Sequence, residues 1–369
     1  MICTNIKTLN FRNSLEADVN FTDGVNVLVG NNAQGKTNLL EAVYMFSLGK
    51  SFRAAKESEM VNFDMNEAKV SLTYRENSRS DLQNITMKIG KNRRRTIEIN
   101  GLKIGKLSEM IGAFRAVLFC PEHLSLVKEG PSMRRSYLDV AISPFRPVYL
   151  RSLQRYYAIL EQRNKLIKCA EEDKRLFDST VDIWSAQLAH EAAIIASYRE
   201  KYVKLVHSAV SNIIKDMSDE RELVEISYSG SGKLEDYSDL QANEERFLKL
   251  LNENHDREIG AGATLWGIHK DDIDIKINSK EARKFASQGQ QRSIALALKL
   301  AEGEICRQET GDFPVLLLDD VLSELDTKRR DFLLSSVSGR QVIMTTCEDT
   351  DLGDVNKITV ENGKYIQNL

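Results

Sequence analysis

Gly30-Asn31-Asn32-Ala33-Gln34-Gly35-Lys36-Thr37 has the spacing G-x-x-x-x-G-K-[ST], and that spacing is chemistry for a polyphosphate. Glycines let successive backbone N–H groups curl around phosphate oxygens. The helix start that follows adds its positive end. Lys36 is placed to reach the β- and γ-phosphates of ATP and Thr37 to put its hydroxyl on Mg²⁺, with Asn38 next in line. A second set lies far along the chain. Val315-Leu316-Leu317-Leu318 runs into Asp319-Asp320, an apolar strand ending in two carboxylates. Asp319 suits a metal ion or its water, and Asp320 suits orienting an attacking water. A third set, Ser287-Gln288-Gly289-Gln290-Gln291, opens another helical stretch and offers a second phosphate-binding surface, or an ordinary polar helix cap. Since the first loop already grips its own phosphates, Ser287, Gly289 and Gln290 are most useful against a γ-phosphate held by a second copy of the chain. Ser323-Glu324-Leu325-Asp326 follows the carboxylates closely, where a loop could touch such a partner, and Thr345 and Thr346 end the next strand, where a side chain could sense the γ-phosphate.

Elements to position these groups are legible. Val25 to Val29 is a β-branched run ahead of the Gly-rich loop, and residues 37–47 read as a helix with Leu39, Leu40, Val43 and Phe46 on one side. Alternation from 68 to 100 predicts strands. Residues 132–142 and roughly 148–215 read as long helices, interrupted at Pro144 and Pro147. Strands are predicted at 223–228, 272–277, 315–318 and 342–345, and a helix at 289–306. The expected fold is an α/β core, built from sequence-distant pieces around a largely parallel sheet. The expected divisions are 1–120 and 266–369 for this core and 121–265 for an inserted helical lobe.

The chain has 369 residues, 28% charged and 42% apolar, with net charge −3. Residues 1–169 carry 26 Lys/Arg against 16 Asp/Glu, so a basic face for a polyanion is compatible with the acidic total. No apolar run is long enough to span a bilayer, and the start MICTNIKTLNFRNS lacks signal-peptide features, so a cytoplasmic protein without a membrane partner is expected. Cys3, Cys120, Cys169, Cys306 and Cys347 are odd in number and scattered, which reads as reduced bystanders. Lys88, Lys91, Arg93, Arg94 and Arg95 form a dense cluster, Arg134 and Arg135 open a helix, and Arg12, Arg53 and Lys56 lie near the Gly-rich loop. Such cations suit DNA phosphates without sequence preference. Residues 88–95 also read as a solvated hairpin, Arg53 as a nucleotide contact, and Arg134 and Arg135 as a lobe or dimer contact.

The combination of GNNAQGKT, SQGQQ, LLLDDV and SELD resembles the ABC-type heads of the SMC, Rad50 and RecF families. GKSFR at 49–53, PEHLSLVKEGPSMRRSYLD at 121–139, GIHKDD at 267–272 and VIMTTCE at 342–348 are similar to the RecF family in particular, over essentially the whole chain. The resemblance implies an ATP-dependent homodimer, slow DNA-stimulated ATP hydrolysis, nucleoid association and binding to gapped or single-strand/double-strand junction DNA. It also implies work with RecR and RecO in loading RecA. By the same resemblance Lys36 is the Walker A lysine, Asp319 the Walker B aspartate, Asp320 the catalytic carboxylate, Ser287 the signature serine acting in trans and Asp326 the end of the D-loop. Three departures stand out. The signature is S-Q-G-Q rather than S-G-G-Q. Residues 267–272 lack the family's proline and have Lys270 for its arginine. No histidine follows the strand at 342–345. Other readings remain open: a metabolite kinase or GTPase, a transporter's ATPase subunit, or another SMC/Rad50-like ATPase outside RecA loading.

Overall fold

The computed structural model describes residues 1–78, 81–234, 236–347 and 355–367. The chain opens with β1 (Ile2–Phe11), β2 (Ser14–Asn20), β3 (Val25–Val29) and α1 (Lys36–Leu48). β4 (Glu67–Arg75), β5 (Gln83–Gly90), β6 (Thr96–Ile99), β7 (Leu102–Ile104) and β8 (Ala116–Phe119) follow. Then come α2 (Pro131–Ile142), α3 (Pro147–Lys168), α4 (Lys174–Ser218), β9 (Val224–Ser229), α5 (Leu240–Asn252), α6 (His255–Ala261), β10 (Asp272–Ile277), β11 (Lys280–Glu281) and α7 (Ala282–Phe285). The last stretch is α8 (Gln288–Thr310), β12 (Val315–Leu318), α9 (Thr327–Ser336), β13 (Val342–Thr346), β14 (Asn356–Glu361) and β15 (Lys364–Gln367).

These elements form two compact units. The first joins Met1–Ser125 to Arg292–Leu369, and the second is Leu126–Gln291. The expected boundary at 265/266 therefore falls inside the second unit, because β10 pairs with β9 and β11 with β10.

The first unit holds two six-stranded sheets. One has the order β15-β14-β3-β13-β12-β8, parallel throughout except for β15 at its edge. The other, β2-β1-β4-β5-β6-β7, is antiparallel. Helix α1 packs on β1 and β4 of one sheet and on β8 and β13 of the other. That explains a departure from the one-sided helix expected. Ala42, Tyr44, Met45 and Leu48 are buried along with Leu39, Leu40, Val43 and Phe46. A helix with apolar cover on both sides has no solvent face to keep polar.

In the second unit α3 and α4 pack as a helical hairpin, α4 running 45 residues. Ile167, Ala170, Phe177 and Val181 close the hairpin's tip. Arg163 is fully buried there, its guanidinium paired with Glu258 at 2.7 Å and also donating to Thr264 and Ser185. Among the described residues no helix is long and apolar enough to cross a membrane.

Candidate functional site

Parallel order in the β15–β8 sheet brings the carboxyl ends of β3, β12 and β13 to one edge, where open α/β sheets bind ligands. The Gly-rich loop leaves β3 there. Gly30 passes so close to β14 that an added β-carbon would lie 2.3 Å from the Val360 carbonyl oxygen, and Gly35 adopts φ 115° before α1 begins. Lys36 is buried, its ammonium donating to the carbonyls of Gly30 and of Asn31, the latter at 3.0 Å. The loop is braced from outside. Tyr365 donates to the Gly35 carbonyl at 2.9 Å, Gly363 N–H donates to the Gln34 carbonyl at 2.9 Å, and Asn38 reaches Asn13 at 2.7 Å.

Across from the loop, Thr37 donates to Asp319 at 2.8 Å, and Thr345 donates to the same carboxylate oxygen at 3.0 Å. The Asp320 N–H donates to Thr345 Oγ1 at 2.8 Å. Thr345, expected to sense phosphate, also bridges the Asp319 carboxylate and the Asp320 backbone N–H. Burial pushes the Asp319 carboxyl up, while the hydroxyls of Thr37 and Thr345 pull it back. Asp320 sits at φ 52°, in a backbone region uncommon for a side-chain-bearing residue, with Ser323 bonded to its carbonyl at 2.8 Å. A hydroxyl and a carboxylate side by side are hard oxygen donors that suit Mg²⁺ completed by substrate phosphate and water. Among the described residues there is no cluster of three or more His, Cys, Asp or Glu for a metal.

Arg53 donates to Asn38 at 2.9 Å and brings positive charge to Asp319, so it stands beside α1 and the carboxylate pair. Arg12 is held by the buried Glu41 through both carboxylate oxygens, at 2.8 and 2.6 Å. Asp326 caps α9, accepting from the Arg329 N–H at 3.0 Å, and that bond holds its carboxyl below the usual range. Ser287 and Gln290 form a reciprocal cap on α8: Gln290 N–H donates to Ser287 Oγ at 3.2 Å, and Ser287 N–H to the Gln290 side chain at 2.9 Å. Ser287 is exposed and Gly289 half-buried.

Among the expected DNA contacts, Arg94 is exposed. Arg93 pairs with Glu67, Lys88 with Glu98 at 3.4 Å, and Lys91 donates to the Phe63 carbonyl at 2.6 Å. Arg95 is tied to the Gly49 carbonyl and to Glu57, so its guanidinium serves the fold. Arg134 falls to its other reading, a contact within the helical unit. It is 5% exposed and grips Asp272 with two bonds, at 2.6 and 2.8 Å, which removes it from reach of a phosphate. Arg135 is half-buried and donates to the Asp271 carbonyl at 2.9 Å.

One functional neighbour was missed. Cys347, read as a bystander, lies 3.3 Å from the Lys36 ammonium and 2.8 Å from Asn32. The resemblance segment it belongs to ends at Glu348, which lies outside the described residues. Only the pairing of β13 with β3 brings position 347 to the loop. In a Cys169→Ser background, which removes the other exposed cysteine, maleimide labelling of Cys347 should weaken ATP binding by about tenfold or more through overpacking beside the lysine. ATP should in turn slow the labelling. Full labelling with unchanged ATP affinity would place the thiol outside the phosphate's reach.

A P-loop entering a helix, paired carboxylates at the end of a parallel strand of the same sheet and an inserted helical unit define an ABC-type P-loop ATPase head. Residues 2–362 match the family described as the RecF/RecN/SMC N terminal domain. The chain is 37% identical over 361 residues to the DNA replication and repair protein RecF of Acetivibrio thermocellus, covering 96% of this chain and 97% of that one. It is 38% identical over 371 residues to its counterpart from Bacillus cereus, covering 98% of each. A solved structure of the recombination mediator protein RecF-ATPrS superposes with a TM-score of 0.94 at 34% identity, covering 99% of this chain and 98% of that one. An Smc head domain from Pyrococcus furiosus shares the fold alone, with a TM-score of 0.57 at 16% identity. The chain belongs to the RecF/RecN/SMC N-terminal domain family.

Proposed function

We propose that this chain is an ATP-driven, DNA-binding recombination mediator that dimerises on ATP and is reset by slow hydrolysis. The observation that carries the nucleotide half is the chain of contacts Thr37–Asp319–Thr345–Asp320 opposite Lys36. In this reading the loop residues Gly30 to Asn38 hold the triphosphate and Lys36 neutralises its β- and γ-oxygens. Thr37 and Asp319 would hold Mg²⁺, which would supply further charge neutralisation. Asp320 orients a water whose oxygen attacks the γ-phosphorus, and ADP leaves. Arg53 joins the nucleotide contacts. Ser287, Gly289 and Gln290 cap the γ-phosphate bound by a second copy of the chain, with Asp326 at the same junction.

The DNA half rests on family membership and on the cations that remain at the surface. Arg94, with Arg93 and Lys91 beside it, is the best placed of the 88–95 cluster, because exposed ion pairs such as Arg93–Glu67 contribute little and can be exchanged for phosphate. We assign gapped or junction DNA as the substrate surface, RecR as the direct partner, and RecO and RecA as members of the same loading reaction. The helical unit, Leu126–Gln291, is read as the lobe inserted into the head.

The test combines nucleotide and DNA. Asp320→Asn should keep ATP binding and slow hydrolysis by roughly a hundredfold or more. The ATP-bound dimer should then accumulate, read by sedimentation, and gapped DNA should be retained longer than by the wild type. Hydrolysis at the wild-type rate would remove Asp320 from the chemistry. DNA binding indifferent to ATP would reject the switch.

A further inference from the structure

Residues 267–272 take no part in the nucleotide chemistry, yet the second unit commits much of its buried polar structure to them. Gly267 has φ 131°, and its N–H and carbonyl both bond the Ser231 hydroxyl, at 3.0 and 2.9 Å. The Ile268 carbonyl accepts from Arg199 at 2.7 Å. His269 is fixed at both ring nitrogens, Nδ1 against the Tyr156 hydroxyl at 2.6 Å and Nε2 against the Thr264 carbonyl at 3.0 Å. Asp271 is fully buried and takes the Ser231 N–H at 2.7 Å, Arg199 at 3.2 Å and the Tyr228 hydroxyl. Asp272 is held by the Arg134 fork. Lys270 alone in this segment is exposed, and its side chain has no ion pair among the described residues.

Buried charge networks are poor sources of net stability, and their better-attested use is to fix one conformation. Here the conformation fixed is a single surface turn that carries one lysine. Its surroundings share a chemistry. Arg135 bonds the same turn through the Asp271 carbonyl. Tyr157, 42% exposed, packs edge-on against Tyr156 with ring centroids 5.6 Å apart, and Tyr156 in turn bonds His269. Burial, with Lys270 and Arg135 among the nearby cations, holds the His269 imidazole down at about 4, so the ring stays neutral and the patch's charge comes from Lys270 and Arg135. Two cations on a rigid mount beside a part-exposed tyrosine ring are suited to backbone phosphates and to an unstacked base. A preformed mount reduces the ordering cost of binding.

We infer that Lys270, Arg135 and Tyr157 form a nucleic-acid contact on the helical unit, the two cations taking phosphates and the tyrosine an unpaired base at a single-stranded or gap-edge segment. This rests on the DNA-binding reading above and adds to it a surface outside the 88–95 cluster.

The full chain with ATP and Mg²⁺ is titrated by fluorescence anisotropy against labelled single-stranded, gapped and blunt duplex DNA, from about 50 to 200 mM salt. Lys270→Ala should weaken binding to all three and lower the log–log salt slope by roughly 0.9 on duplex and 0.7 on single strand. Lys270→Arg should restore both. Tyr157→Ala should weaken the single-stranded and gapped DNAs by roughly 5- to 150-fold, the loss of one stacked base, and leave blunt duplex unchanged. ATP affinity and melting temperature should stay at wild-type values in the lysine variants. Wild-type binding with an unchanged Lys270→Ala slope and affinity would overturn this contact while leaving the DNA reading intact. Equal losses on blunt and gapped DNA for Tyr157→Ala would overturn the stacking role. Wild-type protein that binds none of the three DNAs would overturn the DNA reading and this contact together.

Discussion

Lys36→Ala should lower ATP affinity by about 2–5 kcal/mol, roughly 30- to 5,000-fold, because the triphosphate charge loses the only lysine on its loop. The fold should tolerate the change. Apart from Cys347, the ammonium's partners are carbonyls of its own loop, and the loop is braced independently by Tyr365, Gly363 and Asn13. Calorimetry gives the affinity, and unchanged binding would reject the P-loop assignment. Paired with Ser287→Arg, the same variant tests the trans arrangement. Ser287→Arg should bind ATP normally and fail to dimerise, since a bulky cation replaces an exposed hydroxyl at the proposed junction. A mixed dimer carries both defects at one junction and neither at the other. Mixing the two inactive proteins should therefore return hydrolysis wherever sedimentation shows mixed dimers. A Ser287→Arg protein that dimerises on ATP and hydrolyses normally would sink the trans model.

Arg199→Ala should be the most destabilising single change in the helical unit. Arg199 is fully buried and bonds Asp139 at 2.9 Å, Asp271 at 3.2 Å, Tyr149 at 3.1 Å and the Ile268 carbonyl at 2.7 Å. Removing one side of a buried ion pair costs about 3–5 kcal/mol, since the remaining charge is left in the interior without its partner. For a unit of this size that lowers the melting temperature by roughly 6–20 °C. The pH dependence identifies the cause. Burial already pushes the Asp271 carboxyl up, and the Arg199 charge pulls it back. Without the guanidinium the folded-state value rises further. A carboxyl raised on folding destabilises when ionised, so the variant's deficit should be full near neutrality and shrink as pH falls and Asp271 takes a proton. A deficit constant with pH would assign the loss to packing. In either case the turn carrying Lys270 should loosen, seen as faster hydrogen exchange at the Lys270 and Asp271 amides.

What the sequence determined by itself was local. The loop from Gly30 to Thr37 is one contiguous segment whose phosphate-binding shape follows from glycine backbone freedom and a helix start, and a spacing rule captures both. Asp319 and Asp320 were readable for the same reason, as the polar end of an apolar strand. The Ser287–Gln290 helix start also lies within a few residues. Tertiary structure decided what each charged side chain meets, because those partners lie tens to hundreds of residues away and depend on strand order. Alternation does not reveal that β13 lies between β3 and β12, yet that order makes Thr345 the bridge from the Asp319 carboxylate to the Asp320 backbone and brings Cys347 to Lys36. Nor does composition separate a cation that faces solvent from one that holds the fold. Arg94 and Arg95 are adjacent and chemically identical, but one is exposed and the other is bonded to Gly49 and Glu57. Arg134 looked like an open cation at a helix start until β10 placed Asp272 against it. A charge's role depends on whether burial forces it to find an internal partner, and burial is set only when distant segments pack.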